Sequence, residues 1–218
     1  MNMDPQSLAF RALFIIPTLL SLSVHEFAHA WMAWKLGDRT AEQEGRLTLN
    51  PISHIDPLGT ILLPLLGVPF GWAKPVPVNP VRFNRSVTMS TGMALTAAAG
   101  PISNIILAVI CSVVLGLAMR FAPGVVLSQP GLFVLLKYGV VLNVGLAIFN
   151  MLPLPPLDGS RILDRFVPLA WRDTWESFSR VGPFVLFAVI AGGGFLLAGP
   201  ISLVTNTLYE LIDTIARS

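Results

Sequence analysis

The sequence predicts an all-α integral membrane protein, a bundle of about four transmembrane helices. Hydrophobic residues make up 54% of the 218 residues and charged residues only 12%, and the mean hydropathy is +0.71. Soluble domains carry about 25% charged residues, so this composition lies outside their range. Four apolar stretches are also long enough to cross about 30 Å of hydrocarbon as helices. They comprise residues 8–36, 88–119, 131–152 and 181–208.

The chain between the first two spans predicts two irregular segments. Residues 58–71 are apolar but too short to span, and Gly59, Pro64, Gly67 and Pro69 interrupt them, which predicts a re-entrant segment. A full span is the alternative interpretation. Prolines then alternate with small apolar residues, which excludes a helix and predicts an extended loop over residues 72–80. An extended chain of this kind can pair with a substrate strand.

The distribution of basic residues predicts the orientation in the membrane. Ten of the fourteen lie between the first and second spans or between the third and fourth: Lys35, Arg39, Arg46, Lys74, Arg82, Arg85, Arg161, Arg165, Arg172 and Arg180. The positive-inside rule therefore places both loops in the cytoplasm and both termini outside. Within the second loop, residues 159–180 carry apolar side chains at helical spacing, which predicts one or two amphipathic helices at the cytoplasmic interface.

A five-residue motif, His25-Glu26-Phe27-Ala28-His29, lies inside the first span. Residues four apart lie on one helix face, about 6 Å apart, so both imidazoles can bind one metal ion. Glu26 lies about 100° round the helix, where a carboxylate can take a proton from a water molecule on the metal. The alternative is a polar packing contact between the histidines, but three ionisable groups in five residues are costly at bilayer depth unless they are functional. The motif predicts a catalytic site with one zinc ion.

Two histidines leave a catalytic zinc ion one protein ligand short. Asp158 is the best third candidate, because it follows three prolines that must unwind the end of the third span and open a polar pocket. The residues alone leave two alternatives open, one for the role of Asp158 and one for the identity of the third ligand. Asp158 is also suited to cap a helix that begins at Gly159, and His54 in the charged loop is a rival ligand.

Three motifs in order resemble the site-2 protease family of intramembrane zinc metalloproteases. They are the histidine motif, the run Ala99-Gly100-Pro101-Ile102-Ser103-Asn104, and the stretch from Asn150 to Gly159. The resemblance covers nearly the whole chain. It implies zinc ligation by His25, His29 and Asp158, activation of water by Glu26, and a role in substrate or oxyanion binding for Asn104 and Asn150.

The resemblance also implies the partners and the setting. The expected substrate is a transmembrane protein, and the expected location is a prokaryotic cell membrane with the active site toward the cytoplasm. The short loop at residues 120–130 and the tail after Leu208 leave no room for a PDZ or CBS domain, which predicts a minimal core. A homo-oligomer is left open, and the scattered basic residues exclude nucleic-acid binding. Cys111 is the only cysteine, so no intrachain disulfide forms.

Two other functions fit the same ligands. One is a membrane transporter that binds metal during transit, and the other is a protease-like scaffold that binds membrane proteins without cutting them. Glu26 argues against both, because neither function needs a base beside the metal ligands. A transporter more often shows two repeated halves, which this sequence lacks.

Overall fold

The computed structural model describes residues 8–62, 65–66, 72–191 and 195–218, and within these ranges it is helical without any strand. The described residues form eight α-helices: α1 (Leu8–Lys35), α2 (Thr40–Gln43), α3 (Met89–Phe121), α4 (Pro123–Ser128), α5 (Pro130–Asn150), α6 (Asp158–Asp164), α7 (Arg172–Ala191) and α8 (Phe195–Arg217). Short 3-10 helices cover Pro51–His54, Pro80–Arg82 and Leu169–Trp171, and Pro57–Leu62 forms a π-helical turn. The all-α prediction is confirmed for these residues.

Helix α3 is the central helix and packs against α1, α5, α6 and α8. Ala108 of α3, Val140 and Val144 of α5 and Leu208 of α8 form a buried core. Small residues bring the helices close together: a Cβ added at Gly116 would lie 2.8 Å from Cβ of Ile215. Such close backbone approach is the usual way in which apolar helices associate.

The bundle has two distinct ends. At the first, which we call the loop end, the amide of Asn84 just before α3 donates to the carbonyl of Leu36 just after α1, at 2.6 Å. At the far end, the guanidinium of Arg120 near the end of α3 donates to Ser218 Oγ at 2.8 Å. Helix α3 therefore runs from the loop end to the far end, and α8 finishes beside it.

Two helices of the described chain, α3 and α5, are long and apolar enough to cross a membrane. They contain 33 and 21 residues, which at 1.5 Å per residue gives about 50 and 32 Å, against about 30 Å of hydrocarbon. These helices coincide closely with the predicted second and third spans. Helix α1 covers the predicted first span, but crossing by this helix and by the last part of the chain stays a prediction.

The structure departs from the predicted boundaries after α6. Helix α7 begins at Arg172 and continues past Arg180 to Ala191, so the polar interface segment and the start of the fourth predicted span share one helix. A change from polar to apolar residues does not end a helix, because backbone hydrogen bonds continue through it. Residues 195–208 belong to α8, and residues 192–194 lie outside the described residues.

The predicted re-entrant segment is described only in part. Residues 57–62 form the π-helical turn, while residues 63–64 and 67–71 lie outside the described ranges, so re-entry stays a prediction. Residues 72–79 adopt neither helix nor strand, as expected for an extended loop. We call these eight residues the extended segment.

Candidate metal centre

Three ligand atoms converge beside α3 at the predicted site. Nε2 of His25 and Nε2 of His29 lie 3.0 Å apart, and Oδ2 of Asp158 lies 3.2 and 3.3 Å from them. The three side chains are 6%, 12% and 12% exposed. A tetrahedral zinc ion with bonds of about 2.1 Å separates its ligand atoms by roughly 3.4 Å. The three atoms therefore fit one metal ion with only small adjustments.

The hydrogen bonds of the two imidazoles direct lone pairs into the site. His29 donates from Nδ1 to the carbonyl of Thr96 at 2.7 Å, and His25 donates from Nδ1 to Oδ1 of Asn104 at 2.6 Å. Because a neutral imidazole carries only one proton, both Nε2 atoms then present lone pairs. Outer partners of this kind are typical of metal-binding histidines.

Asp158 supplies the third electron-rich atom. Its Oδ2 is buried and, among the described residues, has no donor bonded to it. Burial by itself raises the pKa of the Asp158 carboxyl, whereas positive charge beside it, from an imidazolium or from a bound metal ion, lowers this pKa and favours the carboxylate. A buried carboxylate that faces two nitrogen lone pairs is repulsive unless a cation lies between them. This donor set is therefore suited to a metal ion.

A sharp fold-back of the chain after α5 places Asp158. Gly159 packs so tightly against the carbonyl groups of Met151 and Leu152 that a side chain there would clash with both. Asp158 is the first residue of α6, Leu157 occupies the capping position, and no side chain caps the helix. The alternative role of Asp158 as a helix cap is therefore wrong.

Gly100 allows α3 to approach the histidines. A Cβ at this position would lie 2.5 Å from Nε2 of His29 and 2.6 Å from Cε1 of His25. Real Cβ atoms do not approach other heavy atoms so closely, so only glycine fits here without displacement. The glycine of the predicted second motif thus forms one wall of the metal centre.

Glu26 lies half-buried on α1 between the two histidines in sequence, and its carboxylate meets the extended segment. Oε2 of Glu26 accepts a hydrogen bond from the backbone N–H of Val76 at 2.9 Å. A charged acceptor makes such a bond stronger than one between neutral groups. One carboxylate oxygen is thereby fixed, and Oε1 is left for other chemistry.

Comparison with known proteins identifies the family of the chain. Residues 125–191 match the family model described as Peptidase family M50. The chain is also 42% identical over 177 residues to "Putative zinc metalloprotease YwhC" of Bacillus subtilis, which covers 81% of this chain and 78% of that protein. This chain belongs to peptidase family M50, the site-2 protease family.

Other relatives match smaller shares of this chain. "Putative zinc metalloprotease Rip2" of Mycolicibacterium smegmatis is 34% identical over 153 residues, which is 70% of this chain but 56% of that protein. "Putative zinc metalloprotease MJ0611" of Methanocaldococcus jannaschii is 40% identical over 75 residues, about a third of each chain. No solved structure matches this chain.

His54, the rival ligand, lies elsewhere in this M50 protein. It is 2% exposed and donates from Nε2 to the carbonyl of Thr48 at 2.8 Å, while its Nδ1 faces Nη2 of Arg46 at 3.5 Å. Its own carbonyl accepts from the amide of Lys74 at 3.0 Å, and Arg46 donates to the carbonyl of Lys74 at 2.6 Å. His54 therefore holds one end of the extended segment and is absent from the ligand cluster.

The other end of the extended segment is held by Asp38, which the sequence interpretation missed. Asp38 is fully buried, and its Oδ2 accepts from the amide of Asn79 at 2.6 Å. Its Oδ1 accepts from the amide and hydroxyl of Thr40. With Arg46 and His54 at the first end, these contacts fix the position of Val76 opposite Glu26. The sequence shows only that the loop contains charged residues. It does not show that Asp38 is buried, which is what marks this residue in the structure.

The two asparagines implied by the family resemblance lie in different surroundings. Asn104 is fully buried and contacts His25, as described above. Asn150 is half-buried, and its Nδ2 donates to the carbonyl of Leu146 in its own helix at 3.0 Å. A role for either in substrate or oxyanion binding stays a prediction. A third asparagine, Asn143, contacts Asn104 and was missed by the sequence interpretation.

Proposed function

We propose that this chain is an intramembrane zinc metalloendopeptidase, which hydrolyses a peptide bond within or near the transmembrane helix of a membrane protein. The observation that carries the proposal is the convergence of two imidazole lone pairs and an ionised carboxylate, with Glu26 on the same helix as the histidines. The names of the M50 relatives, which specify zinc metalloproteases, support the choice of metal.

The donor set is the one that catalytic zinc uses. Catalytic sites take three protein ligands and keep a fourth position for water or substrate, and two histidines with one carboxylate form one of the common combinations. A zinc ion bound here would polarise a scissile carbonyl and acidify a water molecule. Nearly complete burial of His25, His29 and Asp158 restricts solvent access and so strengthens electrostatic interactions in the site.

Glu26 is proposed as the general base. The N–H of Val76 holds Oε2, which orients the carboxylate and leaves Oε1 to accept a proton from the attacking water. The same carboxylate then delivers that proton to the amine that leaves. General acid–base catalysis of this kind contributes about 10²–10⁴-fold to the rate.

The substrate must unwind before it is cut, because helical peptide groups are hydrogen-bonded within their own helix. We propose that the extended segment holds the unwound chain beside Glu26. Its two prolines at residues 75 and 77 keep it out of a helix, and buried side chains fix both of its ends. The site would open toward the cytoplasmic side of a prokaryotic cell membrane, since the loop end carries most of the basic residues.

The first experiment measures zinc content and cleavage together. The purified full chain and its variants are assayed for bound zinc and for cleavage of a panel of transmembrane peptides in lipid vesicles. We expect Glu26→Gln to keep zinc but lose cleavage by about 10²–10⁴-fold, and Asp158→Ala to lose both. Asp164→Ala is the matched control: this carboxylate of the same short helix pairs with Arg172 at 2.9 Å and should keep zinc.

The alternatives give different results in the same assay. If the wild type binds zinc, cuts no peptide of the panel and lets metal ions cross the vesicle membrane, it is a transporter. If it binds the peptides and neither cuts them nor passes metal, it is a scaffold. If Asp158→Ala keeps zinc with wild-type affinity, the proposed ligand set is wrong.

A further inference from the structure

We infer that Asn143 is a positioning residue for the metal centre, which sets the tautomer of His25 through Asn104; the inference rests on the proposed zinc function. Asn143 lies on α5 and is 1% exposed, and Asn104 on α3 is fully buried. Neither side chain reaches solvent. Their contacts form a continuous chain of hydrogen bonds from a backbone carbonyl to the metal ligand.

The chain of hydrogen bonds begins at Gly139, whose carbonyl accepts from Nδ2 of Asn143 at 2.8 Å. Oδ1 of Asn143 accepts from Nδ2 of Asn104 at 2.8 Å. Oδ1 of Asn104 then accepts from Nδ1 of His25 at 2.6 Å. Ser21 joins the network through its hydroxyl, which meets Nδ2 of Asn143 at 3.0 Å.

The carbonyl of Gly139 sets the donor-to-acceptor direction of every hydrogen bond from Asn143 to His25. A carbonyl can only accept, so it fixes the amide nitrogen of Asn143 toward Gly139 and the amide oxygen toward Asn104. That oxygen in turn requires the nitrogen of Asn104, which leaves the oxygen of Asn104 facing His25. Nδ1 of His25 must then carry the proton, and Nε2 keeps the lone pair that the metal needs.

The reverse orientation would disable the ligand. If the Asn104 amide turned over, its oxygen would face the oxygen of Asn143, and its nitrogen would face Nδ1 of His25. The imidazole proton would then sit on Nε2, toward Asp158, and block metal binding. The backbone carbonyl of Ser21 also accepts from Nδ2 of Asn104, but at 3.4 Å this contact is too long to hold the amide by itself.

The test measures zinc affinity, which does not depend on cleavage. We expect Asn143→Leu, which keeps the branched shape of the side chain but has no amide, to weaken zinc binding about tenfold, the lower end of the effect of removing an outer partner of a metal ligand. Ser112→Ala is the matched control. Ser112 is a fully buried polar residue of α3, and among the described residues its hydroxyl bonds only the carbonyl of Ala108, so its loss should leave zinc affinity unchanged.

A second variant preserves the direction of these hydrogen bonds. In Asn143→Asp, a protonated carboxyl donates to Gly139 and accepts from Asn104, so zinc affinity should stay within about threefold of the wild type. This variant also keeps the inference testable if Asn143→Leu does not fold. A tenfold loss in Asn143→Asp would overturn the inference.

A double variant separates tautomer control from packing. Asn104→Asp presents an acceptor to His25 in either orientation, so adding Asn143→Leu in that background should weaken zinc binding less than about twofold. An equal loss in both backgrounds would show that Asn143 acts only through packing. Wild-type affinity in the Asn143→Leu single variant would likewise overturn the inference and leave the proposed function intact. A wild-type chain that binds no zinc would overturn both.

Discussion

At the scale of single residues, the metal centre depends on one residue that has no side chain. An added methyl at Gly100 would overlap His29 and His25, so Gly100→Ala must displace α3 or the imidazoles. Overpacking of this kind costs about 1–3 kcal/mol, which corresponds to roughly 5- to 150-fold in zinc affinity. We expect a loss of this size in a zinc titration of the purified variant.

Gly145→Ala is the control for this substitution. Gly145 also lies inside an apolar helix, but within the described part of the chain an added Cβ would meet only Cδ1 of Ile201, at 4.0 Å. Alanine is favoured over glycine inside a helix by about 0.5–1 kcal/mol. Gly145→Ala should therefore keep zinc affinity and unfold at an equal or higher temperature. Equal zinc affinity in the two variants would show that Gly100 is not a wall of the site.

The single residues of the site differ in how far the sequence predicts them. His25, Glu26 and His29 follow from helical spacing, which is a local property. Asp158 follows from a proline-rich break, but its approach to the histidines depends on the fold-back at Gly159, which is a tertiary contact. Asn143 has no characteristic spacing. An asparagine inside an apolar stretch is the only signal that the sequence offers, and such asparagines also make ordinary contacts between helices.

At the scale of structural elements, the extended segment links the loop to the catalytic residues. Replacement of Val76 by proline removes the N–H that holds Oε2 of Glu26. A hydrogen bond to a charged group contributes about 1.5–3 kcal/mol, so kcat should fall by roughly 10- to 150-fold. Zinc content should not change, because Val76 is not one of the three ligands. Steady-state cleavage kinetics together with zinc analysis test this prediction.

Val76→Ala is the matched variant, because it removes the isopropyl group and keeps the N–H. We expect it to retain most of the wild-type kcat. If the alanine and proline variants lose activity equally, the valine side chain matters and the hydrogen bond to Glu26 does not.

Val78→Pro tests whether the extended segment binds the substrate. Residues two apart in an extended chain present their N–H groups to the same side, so this variant should raise KM more than it lowers kcat.

The elements themselves were predictable where local composition decides them. Long apolar runs gave helices α1, α3 and α5 within a few residues of their predicted ends. The prolines gave the irregular extended segment. Helix α7 differs because the rise in hydropathy predicts a boundary at residue 180, whereas the helix continues through this change in polarity. Hydropathy reports the surroundings of a helix and does not mark its ends.

At the scale of the whole molecule, the bundle assigns its loops to two opposite ends. The loop end holds the end of α1 and the start of α3, and the far end holds the α3–α4 connection and the last residue of the chain. Most basic residues lie in the loops assigned to the cytoplasm. Helix α3 is long and apolar enough to cross a bilayer, and we predict that it does so, with the loop end in the cytoplasm and the far end outside.

Cysteine labelling from each side of the membrane tests this arrangement. Cys111 is the only cysteine, so Cys111→Ala gives a background without thiols. In that background, Glu44→Cys places a thiol on an exposed residue before α3, and Gln129→Cys places one on an exposed residue between α3 and α5. An impermeant maleimide should label position 129 in intact cells and position 44 only in inverted vesicles.

Labelling of both positions from one side would mean that α3 does not span the membrane. The opposite pattern would reverse the orientation and place the metal centre nearer the outer side, where proteolysis could not release a product into the cytoplasm.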